Sequence, residues 1–249
     1  MYLKLHDIVK RMNENFALCV DFLESAPSTT LGIIGNNGAG KTTLLSLICG
    51  LRTPDTGTVV IDHKKLTREN LDWWKSQTGV YLDESFMFDY YTVFEHFEFM
   101  ASAWKVDETD FHYRVGKYEP VFDLKQYYGH RISTLSSGNK KKTGLMGTLL
   151  VSPKVLIWDE PFSGLDPRSQ EYLKQLLEQY KQEQQATIII SSHDLNHVAE
   201  ICDRVVILDE GRIVRVIKEK ISYAELKDEF LKLIGSDDAK LCKQDDKTQ

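Results

Sequence analysis

No run of apolar residues reaches the roughly 18 that a helix needs to span a bilayer, so any membrane role has to come through a partner. A basic excess is missing too. Lys and Arg total 31 against 37 Asp and Glu, a formal net charge of −6, which argues against a nucleic-acid partner. Cysteine is sparse: Cys19, Cys49, Cys202 and Cys242 lie far apart with no short paired spacing. That excludes a zinc knuckle or a redox pair and leaves reduced, buried or incidental thiols. Met1 to Asn13 carries Lys4, His6, Asp7, Lys10 and Arg11 with no apolar core, so no secretory signal is expected. Internal repeats and low-complexity linkers are likewise absent.

What is present suits one large domain, or one domain with a subdomain. The 249 residues are 42% hydrophobic and 27% charged, enough for a sizeable core. Short β-rich runs recur at Leu31–Gly35, Thr58–Asp62, Gly79–Leu82, Val155–Asp159, Thr187–Ser191 and Arg204–Asp209. Helical patterns separate several of them. In Arg168–Glu183, Tyr172, Leu173, Leu176, Leu177 and Tyr180 keep helical spacing, with Asp166 as cap and Pro167 in the first turn. Alternating strands and helices predict an α/β fold with a largely parallel sheet covered on both faces. The first ~30 residues and Thr58–Asp62 read as an antiparallel edge. Between Tyr90 and about Gly147 no strand is convincing, and Val93–Trp104 reads as an aromatic-rich helix. An inserted helical subdomain is therefore expected over about 84–147, within a domain spanning 1–235. Asp209-Glu210-Gly211 should turn a hairpin. Ser222 and Glu225 should cap a last helix ending at Gly235, before a polar tail over 236–249.

One segment carries chemistry at once. Gly35-Asn36-Asn37-Gly38-Ala39-Gly40-Lys41-Thr42 fits the P-loop pattern between an apolar strand and the helical run from Thr43. Its glycines let backbone N–H groups turn inward as an anion nest, and the helix start adds partial positive charge. Lys41 would reach the β- and γ-phosphates, and the Thr42 hydroxyl would ligate Mg²⁺. A second segment, Lys154 to Pro161, is an apolar strand ending in Asp159 and Glu160. Strand carboxyl ends meet at the ligand crevice of a parallel sheet, which puts both acids beside the P-loop. Successive strand residues point opposite ways, so Asp159 could serve the Mg²⁺ shell while Glu160 polarises the attacking water.

These segments, with three others, resemble the ABC ATPase family over nearly the whole chain. Leu135-Ser136-Ser137-Gly138-Asn139 is similar to the family signature. Ser163-Gly164-Leu165-Asp166 resembles the D-loop, and Ser191-Ser192-His193-Asp194 the switch-histidine segment. The resemblance implies a P-loop NTPase with a RecA-like core, an antiparallel β-subdomain and a helical subdomain carrying the signature. It implies ATP and Mg²⁺ as ligands, His193 contacting the γ-phosphate, and two ATPase subunits meeting head to tail. Ser136, Ser137, Gly138 and Asn139 would then face the other subunit's P-loop. An integral membrane subunit would be the further partner, with this chain peripheral on the inner, cytoplasmic face of the membrane. Among relatives the sequence looks closer to ATPases of exporters for drugs, antimicrobial peptides or lipids. The alternative is a soluble ABC ATPase serving a non-transport partner such as an iron–sulfur assembly scaffold.

The chain departs from the family pattern at several places. Ser137 and Asn139 replace a Gly and the Gln of the signature, and a Cβ at 137 could remove a backbone conformation that Gly allows. Asp83 stands where the family usually has Gln and is expected to join the metal shell. Met12 occupies the adenine-stacking position by spacing, with Phe16 close by, so that contact is unassigned. Lys140, Lys141 and Lys142 read as a solvated basic face or as phosphate contacts. Phe86, Phe88, Tyr90, Tyr91, Phe94, Phe97, Phe99 and Trp104 should be mostly core, some of them lining a groove for a helix of the membrane subunit.

Overall fold

The strands with the most continuous apolar sequence are the ones buried on both faces. In the computed structural model, which describes residues 1–234, β3 (Thr30–Ile34), β7 (Val155–Trp158) and β8 (Thr187–Ser192) are buried at every residue. With β6 (Thr78–Tyr81) and β9 (Arg204–Asp209) they form a parallel array in the order β9-β3-β8-β7-β6. Alternate side chains enter different apolar clusters. Leu156 and Trp158 of β7 enter one, and Val155 and Ile157 the other. This is the pattern of a sheet covered by packed elements on both sides.

The N-terminal part supplies the antiparallel edge. β1 (Leu3–Arg11) pairs with β2 (Ala17–Ser25) and with β4 (Thr56–Ile61), and β5 (Lys64–Lys65) completes the order β5-β4-β1-β2. β10 (Arg212–Ile217) folds back on β9 through a tight turn. Glu210 and Gly211 there both have positive φ, 41° and 80°, the geometry that matches strand twist in a short hairpin. One residue pair, Arg212 opposite Cys19, joins β10 to β2 and closes a ten-stranded sheet.

Helices flank the array: α1 (Lys41–Ile48), α2 (Leu71–Gln77), α6 (Pro167–Gln184), α7 (Leu195–Ile201) and α8 (Tyr223–Leu233). Asp166 accepts from the Ser169 N–H and starts α6, while Ser222 and Glu225 form a reciprocal capping box on α8. The expected helix stop at Gly235, the tail over 236–249 and Cys242 lie outside the described residues. Between β6 and β7 the described backbone has helices but no strand: α3 (Val93–Ala103), α4 (Glu108–Phe122) and α5 (Ser137–Leu150). Phe111, Val115, Tyr118 and Phe122 make the buried stripe of α4 at i, i+4, i+7, i+11 spacing.

The aromatic cluster before and along α3 is less buried than its composition suggests. Phe97 is fully buried, but Phe86, Phe88, Tyr90 and Phe99 are 57%, 38%, 66% and 40% exposed. Val93, His96, Phe97 and Ala101 take the inward face of α3. Phe99, two residues from Phe97, therefore points away from it. There it meets Phe88 and Tyr91 edge-on at 5.2 and 5.8 Å between ring centroids.

Candidate active site

Four strands end side by side, and each feeds one part of the site. β3 runs into the P-loop, β8 into His193, β7 into Asp159 and Glu160, and β6 into Asp83. The P-loop needs its glycines for two separate reasons. A Cβ on Gly35 would sit 2.2 Å from the Leu208 carbonyl oxygen, and Gly40 holds φ 107° at the start of α1. Ala39 is buried, while Asn36, Asn37, Gly38, Gly40, Lys41, Thr42 and Thr43 line a cavity of about 250 Å³. Phe16, Asp159 and Glu160 complete its wall. Lys41 is 7% exposed, and its Nζ donates to the Gly35 carbonyl at 2.8 Å.

The two acids do different things, though not through strand alternation. β7 ends at Trp158, and Glu160 adopts a left-handed backbone with φ 49°. That turn, rather than the pleat, separates the two side chains. Asp159 is buried and accepts from the Thr42 hydroxyl with one oxygen and from the Ser191 hydroxyl with the other. Glu160 reaches the other way. Its Oε2 lies 2.9 Å from His193 Nδ1 and its Oε1 3.6 Å from Lys41 Nζ. The Ser191 hydroxyl also accepts from the Glu160 N–H at 2.9 Å, so one buried serine fixes both acids.

Asp83 caps a short 3₁₀ turn by accepting from the Ser85 N–H at 2.7 Å. It lines two cavities, one with Thr42 and Thr43, the other with Asp159 and Glu160. The signature residues stand apart: Ser136, Ser137, Gly138 and Asn139 do not line the P-loop cavity. Ser136 caps α5 by accepting from the Asn139 N–H at 3.3 Å. Ser137 is the first residue of α5 and is not among the residues with positive φ, so its Cβ costs the backbone nothing there. Gly138 lies against the D-loop, where a Cβ would come 3.2 Å from the Gly164 carbonyl oxygen. Asp166 is committed to Ser169, whose hydroxyl and N–H hold its carboxyl down to about pKa 2.

Comparison with known proteins decides the family. The family model described as ABC transporter matches residues 23–163. The chain belongs to the ABC transporter ATP-binding family. It is 29% identical to the sulfate/thiosulfate import ATP-binding protein CysA of Gloeobacter violaceus over 87% of this chain and 62% of that one. It is 30% identical to the methionine import ATP-binding protein MetN of Clostridium acetobutylicum over 83% of this chain and 66% of the relative. The chain thus spans about two thirds of the length of these relatives. A solved ATP-binding subunit of an ABC transporter superposes with TM-score 0.81 at 25% identity, covering 93% of this chain and all of that one. The cbiO1 protein of Clostridium perfringens, part of the transporter complex cbiONQ, gives 0.75 at 27% identity, covering 92% of each chain. CysA and MetN are named for import, so the likeness to exporters gains no support from them.

Several residues of this ABC-family site take contacts that the sequence does not specify. Ser191 opens the segment that resembles the switch-histidine motif, but only the end of β8 shows its hydroxyl placed between the two acids. Phe16 reaches the P-loop from the β1–β2 hairpin, and Met12 is not among the residues lining that cavity. The three lysines of α5 are not a bare solvated face, since each has an oxygen of this chain within reach. Lys140 lies 3.9 Å from Asp89 and Lys142 3.7 Å from Asp166, while Lys141 donates to the carbonyls of Glu160 and Ser163.

Proposed function

We propose that this chain binds ATP at the P-loop and hydrolyses it with Glu160 as general base, as the ATP-binding subunit of an ABC transporter. The observation that carries the reading is the divided acid pair. Asp159 is joined to Thr42, where a metal would be held, and Glu160 is joined to His193 and Lys41, where the γ-phosphate and its water would lie. P-loop N–H groups and the start of α1 would cradle the phosphates. Lys41 would exchange the Gly35 carbonyl for phosphate oxygens. Glu160 Oε2 would take the proton of the attacking water as its oxygen approaches phosphorus. His193 Nδ1 holds Glu160 Oε2, and the other ring nitrogen would be free to meet a phosphate oxygen.

Mg²⁺ fits the donors that converge here. A hydroxyl and a carboxylate, Thr42 and Asp159, are hard oxygens in mutual contact. Among the described residues no cluster of three or more His, Cys, Asp or Glu could hold a metal unaided. Mg²⁺ characteristically takes one or two protein oxygens and completes its shell with phosphate and water. When bound it would neutralise charge between the β- and γ-phosphates. Asp83 has its Oδ1 committed to Ser85 and a second oxygen to offer the same shell.

In this reading a second ATPase subunit presents its own Ser136–Asn139 to this P-loop, which gives those residues a phosphate contact that they do not make at the P-loop of their own chain. The membrane partner follows from kinship. Among the described residues no helix is long and apolar enough to cross a membrane, and the similar cbiO1 is part of a transporter complex. The proposal therefore places this chain at the cytoplasmic face of a membrane, coupled to an integral subunit, and assigns no direction of transport. Glu160→Gln is the test. The variant should keep ATP affinity within about twofold, lose on the order of 10²–10³ in kcat, and co-purify from detergent-solubilised membranes with a multi-span protein. Near-normal hydrolysis would overturn the base. An exclusively soluble complex would overturn transport and favour the scaffold-serving alternative.

A further inference from the structure

The turn that aims Glu160 is held from both sides. On the sheet side, the Glu160 N–H donates to the Ser191 hydroxyl at 2.9 Å. On the other side stands Lys141, one turn into α5, the helix that begins with the signature residues. Its Nζ donates to the Glu160 carbonyl at 3.0 Å and to the Ser163 carbonyl at 2.7 Å. Those are the first and last residues of a tight turn, closed by Ser163 N–H on the Glu160 carbonyl at 3.3 Å. Glu160 holds φ 49° there, a conformation that a residue with a Cβ keeps only when its surroundings enforce it.

Lys141 is half-buried, and burial pulls its pKa down while Glu160, Glu84 and Asp159 pull it up. It lines a cavity of about 410 Å³ with Asp83, Glu84, Asp159 and Glu160. The cation thus sits among acids yet spends its protons on main-chain oxygens of the Glu160 turn. Loss of those two bonds would leave the Glu160 backbone held by the Ser191 hydroxyl and by the long 3.3 Å bond from the Ser163 N–H, so the turn would loosen and the carboxylate would move with it.

Resting on the assignment of Glu160 as base, we infer that Lys141 is a positioning residue for Glu160, holding its left-handed turn from the signature helix. The consequence is mechanical. Any displacement of the start of α5 is transmitted through one side chain to the backbone of the base, within the same subunit. Hydrolysis then depends on the pose of α5 as well as on the P-loop.

The test uses the full chain with saturating Mg²⁺ and ATP. Lys141→Met should lower kcat by about tenfold or more while the ATP dissociation constant and the melting temperature stay near wild type. Lys141→Gln, which keeps an uncharged amide NH₂ on a shorter stem, should recover part of that loss. In a Glu160→Gln background, single-turnover hydrolysis should fall by less than twofold on adding Lys141→Met, because the residue acts through Glu160. A kcat within twofold of wild type for Lys141→Met would overturn the inference. So would an equal loss in the Glu160→Gln background, a parallel loss of ATP affinity, or failure of both Lys141 variants to fold, which would make the contact one of packing. If Glu160→Gln itself keeps its turnover, the base assignment fails first, which separates the two ideas.

Discussion

Under the proposed function, Phe16 offers a flat ring to the purine of a bound nucleotide. It lies just before β2 in the β1–β2 hairpin, and a Cβ on Gly40 would be 3.1 Å from its ring. The ring thus forms one wall of the P-loop cavity. Stacking of a base on an aromatic side chain contributes about 1–3 kcal/mol, so Phe16→Ala should weaken ATP binding by at least about fivefold. Inorganic triphosphate, which has no base, should bind the variant as it binds wild type. Calorimetric titration of both ligands checks this, and an equal loss for each would place Phe16 in loop packing. The contrast with the P-loop shows what a sequence reveals at this scale. Gly35–Thr42 is contiguous, and its spacing is its chemistry. Phe16, Ser191 and Lys141 act through pairings 24, 32 and 19 residues away, with Gly40, Asp159 and Glu160. Only the folded sheet brings those together. Ser137 shows the reverse error, since a substitution that looks strained in the motif sits in ordinary helical backbone.

Elements were legible where local signals agree with burial. α6 has its cap, its proline and its apolar stripe in the sequence, and its bounds of Pro167–Gln184 differ by one residue at each end from the spacing alone. α3 has a Thr92–Glu95 capping box and an apolar face, yet its neighbouring aromatics were misjudged because composition does not say which side of a helix is covered. His96 lies on the covered side. It is 5% exposed, its Nδ1 has no hydrogen-bond partner among the described residues, and a Cβ on Gly147 would be 3.2 Å from its Nε2. Burial lowers its pKa from 6.5 to about 4. The folded pKa lies below the unfolded one, so the contribution to stability is complete above about pH 6.5. It is lost as pH falls toward 4, because the unfolded chain takes up the proton first. The loss by pH 4.5 should be about 2–3 kcal/mol. Urea unfolding at pH 7 and pH 4.5 should show His96→Met losing less stability than wild type by about that amount. A pH-independent difference between the two would mean that His96 is not held neutral by the α3–α5 packing.

At the scale of the molecule, the P-loop and the signature-like segment lie in separate places. The P-loop cavity holds Lys41, Asp159 and Glu160, while Ser136–Asn139 begin α5 outside that cavity. Under the proposed function the ligand clamp needs both and draws them from two subunits, and a pair of identical chains would contribute each face once. Two inert variants make the arrangement visible. Lys41→Ala removes the cation of the P-loop. Ser137→Glu places a carboxylate at the exposed first position of α5, where an acid suits the helix dipole and spares the fold but repels a partner's γ-phosphate. Each alone should hydrolyse at a small fraction of the wild-type rate. Mixed in equal amounts, random pairing makes half the dimers mixed, and each mixed dimer holds one intact site, joining the Ser137→Glu chain's P-loop to the Lys41→Ala chain's signature. Turnover should then recover to about a quarter of wild type if the two sites fire independently. A mixture no faster than its parts would show that the signature of this chain does not serve a second copy of it.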